Sequence, residues 1–276
     1  MRSWREPSRV GSARWSLGHR MSGSAEGSGR KRPTAAGPRA GPTHHGGTSV
    51  ASTASTSGTL PTGLMALPGV YRPQGDTRLV AEVLAEEALT PGARVLEIGT
   101  GTGALALQAA RRGARVTAVD VSWRAVATAR LNAIRHRLPL RVVHGDFASA
   151  VTGSRYDLVI TNPPYVPAPG AELPVRGPER AWDAGRDGRA VIDRICANAP
   201  FLLRPGGVLL MVHSGMCGAS ETVDRLAATG MAAEVTARAV VPWGPVLRSR
   251  RAWLEQQGLT SQADELEELV VIRARY

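Results

Sequence analysis

Residues 156–167, YDLVITNPPYVP, carry an apolar run, Leu158-Val159-Ile160, straight into Asn162-Pro163-Pro164-Tyr165. The run has the composition of a buried strand. The two prolines end it, since neither donates a backbone hydrogen bond and both fix φ. An amide, two rigid residues and an aromatic ring at a strand exit suit one kind of chemistry. A planar –NH2 nitrogen is a poor nucleophile because its lone pair is delocalised. A site that alkylates it must hold both hydrogens and leave the lone pair facing the electrophile. Asn162 can accept one hydrogen through its side-chain oxygen and Pro163 the other through its carbonyl. Pro164 stiffens that backbone beside the substrate, and Tyr165 offers a flat face for a planar group. Alignment of this kind is worth up to about 7–11 kcal/mol. No base is needed beforehand, because the proton can leave from the cationic product. The bland alternative is a rigid strand exit with a packing tyrosine.

A second stretch would supply the electrophile. VLEIGTGTG, residues 95–103, places Gly99, Thr100, Gly101 and Gly103 after a strand pattern and before a helix pattern. Glycines let the backbone approach a ligand, and a helix start offers free N–H groups. In an open α/β sheet this is the usual crevice for a nucleotide-like cofactor. Gly99, Gly101 and Ala104 also satisfy a dinucleotide spacing. Glu97 argues otherwise: an acid there repels a pyrophosphate but suits a cofactor bearing an amine and a sulfonium. Asp120, ending the next strand and followed by Val121, is placed for a ribose diol, or else serves as a turn or capping residue. Asp146, in VVHGDF with Phe147, either accepts from an adenine amino group or simply sits in a turn beside Gly145.

These residues need elements to position them. Helical periodicity covers Thr77–Leu89, followed by a strand over 94–98, a helix over 104–112 and a strand over 115–120. Ser122 caps a helix running to His136. Strands follow over 140–143 and 157–161, then a Gly/Pro-rich loop over 166–185 and a helix over 187–199. RPGG at 204–207 reads as a turn before a strand over 208–213, and a helix follows near 219–229. Two strand-like runs, about 233–241 and 269–275, close the chain around a polar, partly helical stretch in which ADELEEL, 263–269, reads as a solvated helix face. Alternation of strand and helix predicts an α/β, doubly wound, Rossmann-like and mostly parallel sheet. The last two strands predict a C-terminal antiparallel hairpin at its edge.

The ExGxGxG loop, the acid closing the second strand and the GDF after the third resemble the class I S-adenosylmethionine-dependent methyltransferases. The resemblance covers residues 65–276 and implies a seven-stranded sheet with S-adenosyl-L-methionine as cofactor. By it, Gly99, Gly101 and Gly103 line the methionine part, Asp120 takes the ribose hydroxyls and Asp146 lies near the adenine. With NPPY, the stretches GVYRPQGDT (69–77) and AWDAGRDGR (181–189) are similar to the HemK-type glutamine N5-methyltransferases of release factors. They resemble the compact branch without a large N-terminal substrate-binding domain. That resemblance implies a protein substrate such as a peptide chain release factor, with a different protein, a peptide or a small molecule as the alternative source of the amide or amine. It places Tyr71, Pro73, Asp76 and Thr77 at the border of the cofactor and acceptor pocket, with Tyr71, Thr77 and Asn162 also touching the cofactor, and makes Trp182 and Gly185 part of its lid. Asp76 or Thr77 can equally cap the first helix, Arg72 and Arg78 read as solvated charges, and Arg186 and Arg189 as the start of a solvent-facing helix. Two other readings compete. A nucleic-acid methyltransferase acting on adenine N6 or guanine N2 would have to expose a base, and no target-recognition insertion is visible. A non-catalytic S-adenosylmethionine-binding module would leave the NPPY clamp without a purpose.

Composition narrows the classes further. The chain has 276 residues and a formal charge of +11, but residues 1–60 hold nine basic and two acidic residues and the remainder 25 and 21. Lys31 is the sole lysine, a skew that points to a GC-rich genome more than to a nucleic-acid footprint. Residues 1–60, rich in Gly, Ser, Thr, Pro and Arg, show no periodicity and read as a disordered basic tail before a methyltransferase domain over 65–276. Met65 is a candidate alternative start. No apolar run approaches the roughly 20 residues of a membrane span. Cys196 and Cys217 sit in apolar stretches as packing residues, which fits a reducing, cytoplasmic setting. The scattered histidines have no metal-ligand spacing.

Overall fold

The computed structural model describes residues 60–261 and 264–276. The tail expected over 1–60 lies outside them, Leu60 excepted. The chain alternates α1 (Gly75–Glu86), β1 (Arg94–Ile98), α2 (Ala104–Arg111), β2 (Arg115–Asp120), α3 (Trp123–His136), β3 (Leu140–His144), α4 (Phe147–Ala150) and β4 (Tyr156–Thr161). It continues through α5 (Ala190–Leu202), β5 (Leu203–Ser214), α6 (Ala219–Ala228), β6 (Ala232–Pro242), α7 (Pro245–Ser249), α8 (Arg251–Gln256) and β7 (Leu266–Arg275).

The seven strands form one sheet in the order β3-β2-β1-β4-β5-β7-β6. The first five strands pair in parallel, and β7 runs antiparallel between β5 and β6. This is the expected doubly wound sheet with its antiparallel hairpin. Helices cover both faces, so the central strands are buried throughout: Val95, Leu96, Val159, Ile160, Leu209, Leu210 and Val270–Ile272 are almost wholly shielded. Strand order reverses between β1 and β4, which opens a crevice at their carboxyl ends. Among the described residues no helix is long and apolar enough to cross a membrane.

Several local expectations change. RPGG is not a free turn: Arg204–Gly207 lies within β5, where the register against β4 slips between the Tyr156–Leu203 and Leu158–Val208 pairs. The Tyr276 carbonyl accepts from Gly206 N–H and the Gly207 carbonyl from Tyr276 N–H, so the chain end ties this irregularity down. ADELEEL is not a helix face. From Leu266 it enters β7, where Glu267 is buried opposite Val241. Arg189 does not face solvent. It is 4% exposed and donates to the Cys217 and Gly218 carbonyls and to Thr222, while pairing with Asp193 and Glu221. Arg186, Arg72 and Arg78 are exposed. The cap of α1 is Gln74, without a side-chain bond, so neither Asp76 nor Thr77 caps it; both lie in its first turn and are buried. Ser122 caps α3 as expected, accepting from Ala125 N–H.

Candidate active site

β1, β2 and β4 end level, because Ile98 pairs with both Val119 and Thr161. The segments that leave them, starting at Gly99, Val121 and Asn162, therefore emerge side by side. Gly99 and Gly101 hold φ of 70° and 52°, and a Cβ on them would lie 3.9 Å from the Asn162 carbonyl oxygen and 3.7 Å from that of Tyr71. The glycine loop thus runs along both the NPPY segment and the irregular stretch before α1. Between them lies a cavity of about 170 Å³. Tyr71, Pro73, Thr77, Glu97, Gly99, Thr100, Gly101, Asp120, Val121, Asn162, Pro163, Pro164, Tyr165 and Trp182 all line it.

One end of this cavity is acidic. Glu97 is 3% exposed and accepts from the Thr100 hydroxyl and from Ala106 N–H at 3.2 Å. Burial outweighs these bonds and pushes its carboxyl up to about 8. Asp120 accepts from Gly101 N–H at 3.0 Å and Ser122 N–H at 2.8 Å, and burial raises it as well. Two desolvated carboxyls beside a glycine cradle fit a cationic, ribose-bearing ligand. The second cavity, about 190 Å³, shares Gly99, Asp120, Val121, Pro163, Pro164 and Arg180 with the first and continues over Ile98, Val119 and Phe147. Its mainly apolar floor suits a flat ring. Asp146 lines it, caps α4 through Ala148 N–H and pairs with Arg194 at 2.8 Å. Asp146 is thus a capping residue that also lines the second cavity.

The other end is a network of hydrogen bonds around Asp76. Its Oδ2 accepts from the Tyr71 hydroxyl at 2.7 Å and the Tyr165 hydroxyl at 3.2 Å. Its Oδ1 accepts from Thr77 N–H at 2.6 Å and the Thr77 hydroxyl at 3.2 Å. Burial and the Asp76 charge raise both phenols, which stay protonated. Asn162 Nδ2 donates to Thr77 Oγ1 at 3.2 Å. Behind the network Glu267 is raised to about 7, chiefly by burial. It shares a sheet face with Val241 and Leu269, the two side chains against Gly75 at the start of α1.

The NPPY segment is gripped from outside the cavity. Val166 N–H donates to the Trp182 carbonyl at 2.7 Å and Ala184 N–H to the Val166 carbonyl at 3.1 Å, which folds 166–185 back on itself. Gly185 is buried in this loop away from both cavities, and its carbonyl accepts from Ala168 N–H at 2.8 Å. Cys217 donates to the Tyr165 carbonyl at 3.1 Å. Arg250 donates to the Pro167 carbonyl at 2.9 Å and pairs with Asp183 at 2.7 Å.

Of the residues singled out from sequence, Gly103 lines neither cavity. Its φ is 81°, and a Cβ there would meet Ala129 Cβ at 3.2 Å, so it serves the approach of α2 to α3. Sequence reasoning missed Arg180, whose guanidinium donates to the Val121 carbonyl at 3.2 Å and lines both cavities. It also missed Glu267. Arg180 gave no signal, lying in an irregular loop; Glu267 was hidden by a helix-like pattern. Among the described residues no group of three His, Cys, Asp or Glu side chains could hold a metal ion.

The methyltransferase small domain family model matches residues 62–174. A putative protein N5-glutamine methyltransferase of Methanocaldococcus jannaschii is 34% identical over 177 residues, 64% of this chain and 88% of that protein. A release factor glutamine methyltransferase of Bordetella pertussis is 39% identical over 155 residues, 53% of this chain and 57% of its own length. The chain thus spans little more than half of that bacterial relative. A chain of the E. cuniculi Mtq2–Trm112 complex, described as responsible for methylation of eRF1, superposes with a TM-score of 0.52. At 21% identity over 75% of this chain and 98% of that one, it shows the shared fold. The chain belongs to the HemK-type protein N5-glutamine methyltransferase family of class I S-adenosylmethionine-dependent enzymes.

Proposed function

We propose that the protein methylates the side-chain amide nitrogen of a glutamine in a protein substrate, a peptide chain release factor, and that residues 65–276 form the catalytic unit. The observation that carries this is the state of Asn162. Its NH2 is taken by Thr77, which leaves its oxygen for an incoming N–H beside the glycine loop.

S-adenosylmethionine supplies an electrophilic methyl group when bound. Glu97 and the backbone of Gly99–Gly101 would hold its amino-acid part, Asp120 its ribose, and Val121, Phe147 and Asp146 would flank its adenine. The cavity geometry and the raised carboxyls support that fit. At the acceptor end Asn162 Oδ1 and the Pro163 carbonyl take the two hydrogens of the glutamine amide. Both bonds lie in the amide plane, so the nitrogen presents its π-face to the methyl donor. Tyr165, fixed by Asp76 and Cys217, walls the plane. Positive charge develops on the nitrogen while the Asp76 carboxylate stands nearby, and the proton leaves from the cationic product.

Transfer of labelled methyl into a glutamine-containing release-factor loop, with mass spectrometry of the labelled residue, tests this. Asn162→Ala should cut transfer by about 100-fold or more, the usual loss of a polarising partner, with cofactor affinity unchanged. Label on a nucleic-acid base instead of protein would overturn the substrate, and full activity in Asn162→Ala would overturn the clamp.

A further inference from the structure

A carboxylate only accepts hydrogen bonds, a hydroxyl has one hydrogen to give, and a side-chain amide can present either end. Those rules settle more at this site than the positions of its atoms. Asp76 is 4% exposed and meets three side-chain or backbone donors within hydrogen-bond reach on Tyr71, Tyr165 and Thr77. The Thr77 hydroxyl, itself 6% exposed as a residue, makes a fourth bond to the same carboxylate. Bonds to an ionised acceptor are roughly twice as strong as neutral ones, so the single Thr77 hydroxyl hydrogen goes to Asp76. Thr77 Oγ1 is then left with lone pairs only. The Asn162 group that meets it at 3.2 Å must be the NH2, and the Asn162 oxygen must face the cavity.

The two phenols obey the same rule. Each spends its hydrogen on Asp76 and keeps only lone pairs for whatever else it touches. With the Pro163 carbonyl, the Asn162 oxygen and the two phenols thus make a set of acceptors around the acceptor position.

We infer that Asp76 is a positioning residue that sets the polarity of the acceptor site: acting through Thr77 it fixes the amide orientation of Asn162, and acting directly it turns both phenols into acceptors. The ring then admits a group with N–H hydrogens to give and excludes an isosteric carboxylate. The inference deepens the glutamine reading above and rests on it for the identity of the excluded isostere, glutamate.

The critical variant is Asp76→Asn, which keeps size and shape but brings two donor hydrogens. Thr77 can then turn its hydroxyl toward Asn162, and Asn162 can turn its NH2 into the cavity. The first measurement compares inhibition by a release-factor loop peptide whose acceptor is glutamine with one whose acceptor is glutamate. The wild-type enzyme should prefer the glutamine peptide by at least about 100-fold, since these acceptors leave the carboxylate oxygens that meet them unpaired. In Asp76→Asn that preference should fall at least tenfold, with cofactor affinity within about threefold of wild type. A merely structural role would weaken both peptides alike and leave the ratio intact, which would overturn the inference. The second measurement needs no substrate: the side-chain 15N–1H2 signals of Asn162 in the full chain. One amide proton should be protected from solvent exchange in the wild type and in Thr77→Ser, and lose that protection in Thr77→Val and Asp76→Asn. Protection that survives in both variants refutes the orientation argument. Should the wild type bind no glutamine peptide while the Asn162 signals behave as stated, the glutamine substrate is wrong and the polarity device stands.

Discussion

Glu97 makes the cofactor end testable by pH alone. Burial holds its carboxyl up to about 8 although it accepts from Thr100 and Ala106. At pH 6 and 7, therefore, most molecules carry Glu97 protonated before the cofactor arrives. A ligand with an ammonium and a sulfonium gains from the ionised form, so binding expels the proton. The sign is direct: affinity rises with pH as long as the free protein must give up that proton. The ionised fraction is about 1 in 100 two units below the midpoint and about 1 in 10 one unit below. Affinity for S-adenosylmethionine should then climb close to tenfold between pH 6 and pH 7, or about 1.4 kcal/mol. Isothermal titration calorimetry in buffers of different ionisation enthalpy measures both the slope and the proton released. Glu97→Gln should bind more weakly at pH 7 and flatten the profile. A wild-type affinity that is level from pH 6 to 7, with no proton released, would refute the placement of Glu97 against the cationic part of the cofactor.

Three other perturbations address the scaffold. Glu267 is raised to about 7 from an ordinary value of 4.5, so the unfolded chain gives up that proton first, and this residue's contribution to stability is lost as pH rises from about 4.5 through 7. Urea unfolding should show Glu267→Gln gaining roughly 2–3 kcal/mol on the wild type between pH 5 and pH 8; no gain means that Glu267 is not a buried acid. Gly188 has φ of 72°, and a Cβ there would collide with the Tyr165 carbonyl oxygen and lie 2.9 Å from Cys217 Sγ. Gly188→Ala should cost about 2–4 kcal/mol from backbone and overpacking together, read by the same melts, and should also slow transfer by moving Tyr165. Arg250→Met removes the bonds to the Pro167 carbonyl and Asp183. Initial rates should show transfer falling about tenfold with cofactor affinity unchanged, as expected when a clamp shifts by a fraction of an ångström.

The sheet was legible because its strands are continuous apolar runs closed by punctuation. β1 and β2 fall over 94–98 and 115–120 as read, since Gly92, Gly99 and Gly113 stop neighbouring segments sharply. The two loops that carry chemistry were legible for the same reason: a strand feeding straight into glycines or prolines has few structural excuses. Glu267 was not legible. In ADELEEL the leucines lie three apart, as on a helix, and only pairing with Val241 shows one acid turned inward and Glu268 outward. Arg189 misled for a related reason. An arginine opening a helix ordinarily faces water, yet here the carbonyls of Cys217 and Gly218 left by a short 3-10 turn offer it a buried seat. Such signals lie in the partner segment, about 30 residues away, not in the residue's own neighbourhood.

The two ends of the site also answer to a single electrostatic demand. A methyl transfer from a sulfonium to an amide moves one positive charge from the glycine loop to the NPPY segment. Glu97, Asp120 and Asp76 all line the cavity; in the proposed reaction the first two would face the charge before transfer and Asp76 after it. Three full negative charges in so small a dry volume would repel one another, and burial resists each of them. Burial answers this by raising Glu97 and Asp120 and, behind Asp76, Glu267, so that each resists ionising. Asp76 differs from the others in being met by four hydrogen-bond donors. The donor-rich carboxylate of Asp76 thus stands at the NPPY end of the cavity, and the two carboxyls raised by burial, Glu97 and Asp120, at the glycine-loop end. In the proposed reaction Asp76 would then face the positive charge that develops on the amide nitrogen, and would lose that partner once the product gives up its proton.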